Sequence, residues 1–461
     1  MIAKDMTVGN PTRLLLGFTL PLIVGNLFQQ FYSMADSIIV GKGIGVDAFA
    51  AVGSTAWVSF LILGFVTGLT SGFGILTAQC FGAGDASGLR HTLTQGTLLS
   101  VLISVVFTVV SMTTSMPLLC LLNTPDNIIG DANTYLLVIY AGTLPTVMYN
   151  FYASVLRALG NTKGPLYVLV VSAVVNVGLD LLFVLPLRMG VAGAALATVV
   201  SQVLSAVLCW LILRKYPILK TAREDWKLLP SMQKKLFLLG IPMALQNSII
   251  AIGGIILQAI VNGFGSIYVA GFTAATRVQT LAEQPGATLG LAMATYSGQN
   301  LGAGKLNRIR LGVRKGVLIS LIGNLAIGAV MVFLNRPIVS LFVDAAEIEV
   351  LDAAGLFMIV MGSCEWVLGL LLLYRSALQG MGNTLIPMIS GGVELAMRVA
   401  VALTFPVMLG MGFLGICLAE VAAWTGAAML LAAAYYLLIH RKCKAAQALK
   451  KPPEEPEQIP E

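Results

Sequence analysis

Six acidic residues lie inside long apolar stretches of the sequence, where an ionised carboxylate is costly. Insertion scales give a charged side chain at the bilayer centre a cost of about 2.5 kcal/mol or more, so such residues normally face a cavity or a partner. They are therefore the first candidates for a binding or transport site. The six are Asp36, Asp180, Glu283, Glu365, Glu394 and Glu420.

The spacing around Asp180 predicts a cation site. Asn176 and Asp180 are one helical turn apart and would share a helix face, and Ala194 and Thr198 have the same spacing in the next apolar stretch. Together with Asp36 these residues offer two carboxylates, an amide, a hydroxyl and a backbone carbonyl. Such hard oxygen ligands suit Na⁺, and the carboxylates could equally hold a proton.

The remaining acids allow two interpretations. Glu394 precedes Arg398 by one turn, and Glu420 falls in the neighbouring apolar stretch. These three residues predict a charge-compensated cluster, which is either structural or linked to substrate or ion. Glu283 and Glu365 are isolated acids that could meet an organic cation.

Composition shows which elements must position these residues. The chain has 461 residues, of which 57% are hydrophobic and 11% charged, and its mean hydropathy is +0.88. Soluble domains carry roughly 25% charged residues. The long unbroken apolar runs exclude a transmembrane barrel, so the sequence predicts an all-α integral membrane protein.

Hydropathy predicts about twelve membrane-spanning helices. The first apolar stretch, residues 14–40, is expected to remain as a span rather than to be cleaved as a signal. The predicted spans are centred near residues 25, 60, 104, 145, 174, 202, 248, 280, 325, 365, 395 and 426.

Basic residues predict the orientation of the spans. With the N-terminus in the cytoplasm, only Lys42, Arg188 and Arg336 fall outside the cell and Arg277 and Arg398 lie within spans. All other Lys and Arg residues then lie on the cytoplasmic side, as the positive-inside rule requires. We therefore expect a multi-pass protein with both termini in the cytoplasm, and the net charge of +7 needs no nucleic-acid partner.

The chain is predicted to have two halves. Residues 13–213 form a first six-helix lobe, 214–235 a cytoplasmic linker, 236–440 a second six-helix lobe and 441–461 a disordered tail. The basis is an internal repeat: Pro21 and Pro242 are 221 positions apart, and Gly82 and Gly302 are 220 apart. Because each repeat holds an even number of spans, the halves share one orientation and could rock about a site between them.

Several motifs, in this order and duplicated, resemble those of a known family. The motifs are the first span ending at Asp36, the GAGD and GAGK loops at Gly82 and Gly302, the string RALGNTKGP at residues 157–165, and the span with Asn176 and Asp180. Across about residues 13–440 the sequence resembles bacterial multidrug and toxic compound extrusion (MATE) transporters. The resemblance implies a V-shaped pair of lobes in the bacterial cytoplasmic membrane that exports amphipathic, often cationic, compounds in exchange for Na⁺ or H⁺.

The resemblance also assigns site residues. Its first-lobe cation site corresponds to Asp36, Asn176, Asp180, Ala194 and Thr198. The family's alternative second-lobe site uses acids on the seventh and tenth spans, but the seventh span of this sequence has none and the tenth offers only Glu365. This departure favours coupling in the first lobe.

The repeat supports the same assignment, because the second half lacks the carboxylate pair. The repeat-related positions of Asp36, Asn176, Asp180 and Thr198 are Leu257, Arg398, Ala402 and Glu420.

Other functions fit the sequence less well. GAGK lacks the Gly and the Ser or Thr of a phosphate loop, since Gln299 and Leu306 stand there, and it is interpreted as a cytoplasmic turn. A lipid-linked precursor flippase of the same superfamily is the alternative transporter, but it would favour a strongly basic cavity. A membrane-embedded enzyme would need a catalytic motif such as HExxH or GxSxG, and none is present.

The expected partners are small amphipathic substrates and the lipid bilayer. We expect no enzymatic activity, no nucleic acid, no obligate protein partner and no cofactor beyond the coupling ion. The six cysteines have no paired spacing, and neither His91 nor His440 is placed for an intramembrane proton relay.

Overall fold

The computed structural model describes residues 4–122, 124–344 and 346–448, without the side chains of Trp57 and of residues 445–448. These described residues form sixteen α-helices, two short 3₁₀ turns and no strand. The predicted all-α fold is confirmed.

The helices of the first half precede the linker. They are α1 (Pro11–Gly43), α2 (Val46–Ser54), α3 (Ala56–Gly82), α4 (Ala86–Leu121), α5 (Asp126–Ala141), α6 (Thr143–Ala158), α7 (Lys163–Val184) and α8 (Gly190–Leu213).

The helices of the second half follow the linker. They are α9 (Pro230–Asn262), α10 (Ser266–Ala282), α11 (Gln284–Gly302), α12 (Leu306–Phe333), α13 (Asn335–Val339), α14 (Ile348–Gly380), α15 (Leu385–Met408) and α16 (Phe413–Ala448).

The described residues contain ten helices long and apolar enough to cross a membrane, and α5 with α6, bent by 52°, make an eleventh span if counted together. The predicted span near residue 280 falls on α10 and α11. These helices are interrupted at Glu283, and Pro285 stands in the first turn of α11. Neither qualifies as a span by length and composition, which is why the count is below the predicted twelve.

Two predicted boundaries differ from the structure. The linker was expected to reach residue 235, but α9 begins at Pro230, because a proline is well suited to the first turn of a helix. The tail was expected to begin at residue 441, but α16 continues to Ala448. Residues 449–461 of the predicted tail lie outside the described residues.

The linker is fixed to the first half by a buried acid. Asp225 lies in the 3₁₀ turn Arg223–Trp226, 3.3 Å from Arg90 Nε and 3.5 Å from His91 Nε2. The Thr94 hydroxyl donates to the Asp225 carbonyl at 2.7 Å. The linker is therefore packed along α4.

The two halves meet where α1 begins and α16 ends, which we call the terminal face. Gln79 on α3 donates from Nε2 to the Gly380 carbonyl of the second half at 3.0 Å. Gln299 on α11 donates from Nε2 to the Ala158 carbonyl of the first half at 2.8 Å. The two donors are related by the internal repeat, and so are the two acceptors. Each half therefore donates one hydrogen bond to the other.

Glycines allow this close approach. A Cβ on Gly82 would overlap the carbonyl oxygen of Gln299, and one on Gly302 would overlap that of Gln79. We call these four residues the glutamine–glycine clasp. Just beyond it, the second glycine of each GAG loop turns the chain, with φ of +69° at Gly84 and +70° at Gly304.

The chain before α1 adds a contact that is not duplicated. The Lys4 N–H donates to the Leu159 carbonyl at 2.9 Å, and the Met6 N–H donates to Oε1 of Gln299 at 2.7 Å. Asn300 Nδ2 in turn donates to the Met6 carbonyl at 3.2 Å. Residues 4–9 therefore form a strap bound to both halves.

The GAGK loop holds the strap in place. Lys305 Nζ donates to the carbonyl and hydroxyl oxygens of Thr7 at 3.0 and 3.1 Å. Arg308 Nη2 donates to the Gly9 carbonyl at 3.0 Å. The loop is a turn, as predicted, and its lysine binds backbone of the same chain.

We predict that a single methyl group opens the clasp. Gly82→Ala or Gly302→Ala must push the halves apart, because the added Cβ would overlap backbone, and overpacking typically costs about 1–3 kcal/mol. In detergent both variants should melt at lower temperature than the wild type, with faster amide hydrogen exchange in the last turns of α3 and α11. Gly323→Ala is the matched control, since its Cβ meets nothing within 4 Å. Equal melting and exchange in clasp and control variants would contradict the prediction.

Candidate functional site

The centre of the candidate site is a pair of carboxyl groups from α1 and α7. Asp36 is half-buried and Asp180 is fully buried. Their side chains lie within hydrogen-bonding range of each other, and a proton on one of them would complete a hydrogen bond to the other. Among the described residues the Oδ1 atom of each has no hydrogen-bond partner. These buried oxygens are free to accept a proton or a cation.

Asn176 joins this pair to α8. With its amide oriented to satisfy both neighbours, its nitrogen donates to Asp180 Oδ2 at 3.2 Å and its oxygen accepts from the Thr198 N–H at 3.3 Å. The Thr198 hydroxyl donates to the Ala194 carbonyl at 3.2 Å. The structure thus brings all five predicted residues of the first half to one place.

Two tyrosines that the sequence analysis missed lie beside the carboxyls. Tyr32 on α1 and Tyr135 on α5 are close enough to Asp36 and Asp180 to interact electrostatically with both. Tyr32 stands one turn before Asp36, so helical spacing could have identified it. Tyr135 gave no such signal, because it comes from a separate helix.

A polar cavity adjoins the site on the side toward the terminal face. It is lined by Gln29, Ser172, Gln202 and Ser205 together with Asn176 itself. Ser205 donates to the Ser172 hydroxyl at 2.7 Å, and Gln202 Oε1 has no partner among the described residues. This lining could carry water or a small cation to the carboxyl pair.

On the other side the site is covered by an apolar cluster of Val40, Ala48, Val184, Val191 and Ala194. This cluster keeps the carboxyls in a low-dielectric environment, where a second negative charge is strongly disfavoured.

The candidate site offers only oxygen ligands, which are chemically suited to a small hard cation or a proton. Within the described ranges no group of three or more His, Cys, Asp and Glu residues could hold a metal ion. A cation placed at this site would be held by two carboxyls together with amide, hydroxyl and carbonyl oxygens.

Two acids of the second half, Glu394 and Glu420, are paired with arginines. Arg398 on α15 donates from Nη2 to Glu420 Oε2 on α16 at 2.8 Å. Glu394 lies close enough to Arg398 to interact electrostatically with it, but its ion pair is with Arg375 on α14. The positive-inside rule had placed Arg375 on the cytoplasmic side. Its position in the apolar tenth span was the signal that could have revealed it.

The two remaining acids have different environments. Glu283 is half-buried at the break between α10 and α11. Glu365 on α14 is fully buried and accepts from Gln279 Nε2 at 3.0 Å, which leaves its Oε1 without a partner among the described residues. Of these two side chains, only that of Glu283 is partly exposed.

The sequence of the chain is similar to those of known proteins. The chain is 33% identical over 313 residues, 67% of its length and 69% of the relative's, to "Probable multidrug resistance protein YpnP" of Bacillus subtilis. It is 29% identical over 339 residues, 72% of its length and 73% of the relative's, to "Probable multidrug resistance protein YoeA" of the same species.

A solved structure has the same fold. It is an outward-facing multidrug resistance MATE family transporter of the MOP superfamily, with a TM-score of 0.89 at 22% identity, and the match covers 96% of this chain and all of that one. The MatE family model matches residues 21–182 and 242–404, and the starts of the two matches are 221 positions apart, the offset of the internal repeat. The chain therefore belongs to the MatE family of multidrug and toxic compound extrusion transporters.

Proposed function

We propose that the protein is a secondary antiporter that exports small amphipathic compounds, mostly cations, in exchange for Na⁺ or H⁺. The observation that carries the proposal is the Asp36–Asp180 carboxyl pair, enclosed in the first half and without a basic partner among the described residues. We place the protein in the bacterial cytoplasmic membrane with both termini inside, so that the terminal face is cytoplasmic. Membership of the MatE family and the names of the relatives support this function.

The carboxyl pair supports coupling because its charge must be neutralised by something exchangeable. Two carboxylates in contact inside a membrane cannot both remain ionised at low cost, so a proton or Na⁺ is taken up there. A bound cation can shift a conformational equilibrium only by its differential affinity for the two states. We infer that the cation and the substrate favour opposite states of the two halves.

The clasp supports the direction of this cycle. Because the cross-half hydrogen bonds of Gln79 and Gln299 lie at the terminal face, this conformation is closed toward the cytoplasm. Opening the clasp would admit substrate from inside, and closing it would commit that substrate to the outside.

The second half is less suited to coupling. Its acids Glu394 and Glu420 are already neutralised by Arg375 and Arg398, which are permanent cations. We infer that this network holds α14, α15 and α16 together, and that Glu283 is the acid that meets cationic substrates.

The general test is transport in proteoliposomes with Na⁺ and pH gradients imposed separately. Uphill accumulation of a cationic dye driven by either gradient supports antiport and identifies the coupling ion. Accumulation driven by neither gradient would refute antiport.

We predict that Asp36→Asn and Asp180→Asn insert and fold normally but lose gradient-driven export. The folded state survives because burying an amide costs less than burying a charge, and coupling is lost because an amide cannot exchange a proton. Asp131→Asn, an exposed acid on α5, is the matched control. Should both variants still accumulate substrate at matched levels, the coupling site lies elsewhere, with Glu365 and the second-half network the next candidates.

We predict that Glu283→Gln selectively weakens export of cations. In a pump-deficient bacterium the wild type should raise resistance to cationic dyes more than to anionic drugs, and the variant should lose most of that difference, because a carboxylate attracts a cation that an amide does not. Glu349→Gln, an exposed acid at the start of α14, controls for the substitution. Unchanged cation resistance in Glu283→Gln would exclude this residue from substrate binding.

We predict that Arg398→Ala lowers the yield of folded protein. Removing one partner of a buried ion pair costs about 3–5 kcal/mol, because Glu420 is left charged and unpaired. Adding Glu420→Gln should restore the yield. Arg336→Ala breaks an exposed pair with Asp352 and should cost only about 0–1 kcal/mol. Normal yield and transport in Arg398→Ala alone would rule out a structural role for the network.

A further inference from the structure

A cavity lies between the two halves beside the clasp. Its wall includes Ala158, whose carbonyl accepts the hydrogen bond of Gln299, and Gln379, which precedes the Gly380 carbonyl bonded by Gln79. Helices α3 and α6 of the first half and α9, α11 and α14 of the second contribute to it. The polar side chains that line it are Ser71, Ser154, Arg157, Thr295, Ser376 and Gln379.

Arg157 is the one charged residue in the lining, and it has no partner. Among the described residues its side chain makes no hydrogen bond and no ion pair, and the titratable groups near it are Tyr149 and Cys209, with no carboxylate. Arg157 is half-buried, whereas all the other residues from Phe151 to Gly160 are buried. Its exposed part therefore faces the cavity.

The helix dipole accounts for only part of this arrangement. Arg157 lies in the last turn of α6, where a positive charge interacts favourably with the carbonyl ends. That interaction leaves the N–H groups of the guanidinium without acceptors. By contrast, the buried arginines Arg375 and Arg398 each have a carboxylate partner.

Two neighbouring hydroxyls are also available. Ser71 and Ser154 donate to backbone carbonyls, and Gln379 donates to Gln246. Within the described part of the chain, the Thr295 and Ser376 hydroxyls of the second half make no hydrogen bond. A guanidinium from one half thus faces two free hydroxyls from the other across an otherwise mainly apolar cavity.

We propose that this cavity is a subsite for the anionic group, a carboxylate or a phosphate, of an amphipathic transported compound. Arg157 would bind the anion through charge-assisted hydrogen bonds, and Thr295 and Ser376 would donate to its remaining oxygens. The proposal rests on the proposed export function and extends its substrates from cations to acidic and zwitterionic amphiphiles.

The place of the subsite fits export. Because it adjoins the clasp, separation of Gln79 and Gln299 from their acceptors would open it to the cytoplasm. Since its ligands come from both halves, a bound anion would bridge them, and moving the halves apart would weaken its binding.

The test is a comparison of two dyes with one ring system. The full chain is placed in nanodiscs of phosphatidylcholine, and the binding of anionic carboxyfluorescein and of a cationic rhodamine is measured by fluorescence anisotropy. In Arg157→Gln the Kd for the anionic dye should rise at least about tenfold, because a charge-assisted contact is lost, while the Kd for the cationic dye stays within about twofold. Arg157→Lys should retain most of the anion affinity. Lys163→Gln, an exposed basic residue just beyond α6, should change neither Kd.

Several results would overturn the proposal. One is an unchanged Kd for carboxyfluorescein in folded Arg157→Gln, and another is an equal loss of affinity for both dyes. A third is displacement of the anionic dye by phosphatidylglycerol in the disc, which would assign the cavity to a lipid headgroup. If Arg157→Gln does not fold, the same measurement is made on Thr295→Val, which should lose affinity for the anionic dye but not for the cationic dye. Binding requires no gradient, so these outcomes are independent of whether Asp36 and Asp180 couple transport.

Discussion

An ionisable group inside a membrane needs a partner, and the two halves of this protein meet that requirement differently. In the second half Glu394 and Glu420 are compensated by arginines that stay charged at all relevant pH values. In the first half Asp36 and Asp180 have only each other, with Asn176 and two tyrosines nearby. Glu394 and Glu420 are therefore permanently neutralised, whereas Asp36 and Asp180 would need a proton or a cation to neutralise them.

The internal repeat shows how the charged residues of the two halves are related. At the repeat-related positions of the carboxyl pair the second half has Leu257 and Ala402, each only 2% exposed. Arg398 stands in place of Asn176. The change from amide to guanidinium places a permanent positive charge where the first half has a neutral side chain, and Glu420 pairs with it.

The sequence could predict those features that repeat along the chain. Hydropathy located the spans, and the fixed offset located the halves, because both signals are summed over many residues. One-turn spacing also grouped Asn176 with Asp180. Contacts of single residues between distant segments gave no such signal, so neither the strap through Met6 nor the ion pair of Arg375 was predicted.

The sequence predicted only part of the glutamine–glycine clasp. The GAG loops were recognised as duplicated turns, but the need for Gly82 and Gly302 to lie against glutamine backbone depends on the packing of α3 on α11. The break at Glu283 was hidden for a different reason. A hydropathy window averages over a bend, so the sequence suggested a continuous span where the structure has two helices.

Helix α1 connects the elements on which transport would depend. It follows the strap that binds Gln299 at the terminal face, contacts the second half through the 2.8 Å hydrogen bond from Asn26 to Gln284, and carries Asp36 about 15 Å further along its axis, given a rise of about 1.5 Å per residue.

A shift of α1 on neutralisation of the carboxyl pair would therefore act directly on two contacts between the halves. The clasp itself is symmetric, so it has no preference for an ion bound on one side. The strap and the Asn26–Gln284 contact are both made by residues 4–43 of the first half, and this asymmetry would let an ion bound at the proposed site in one half bias the arrangement of both.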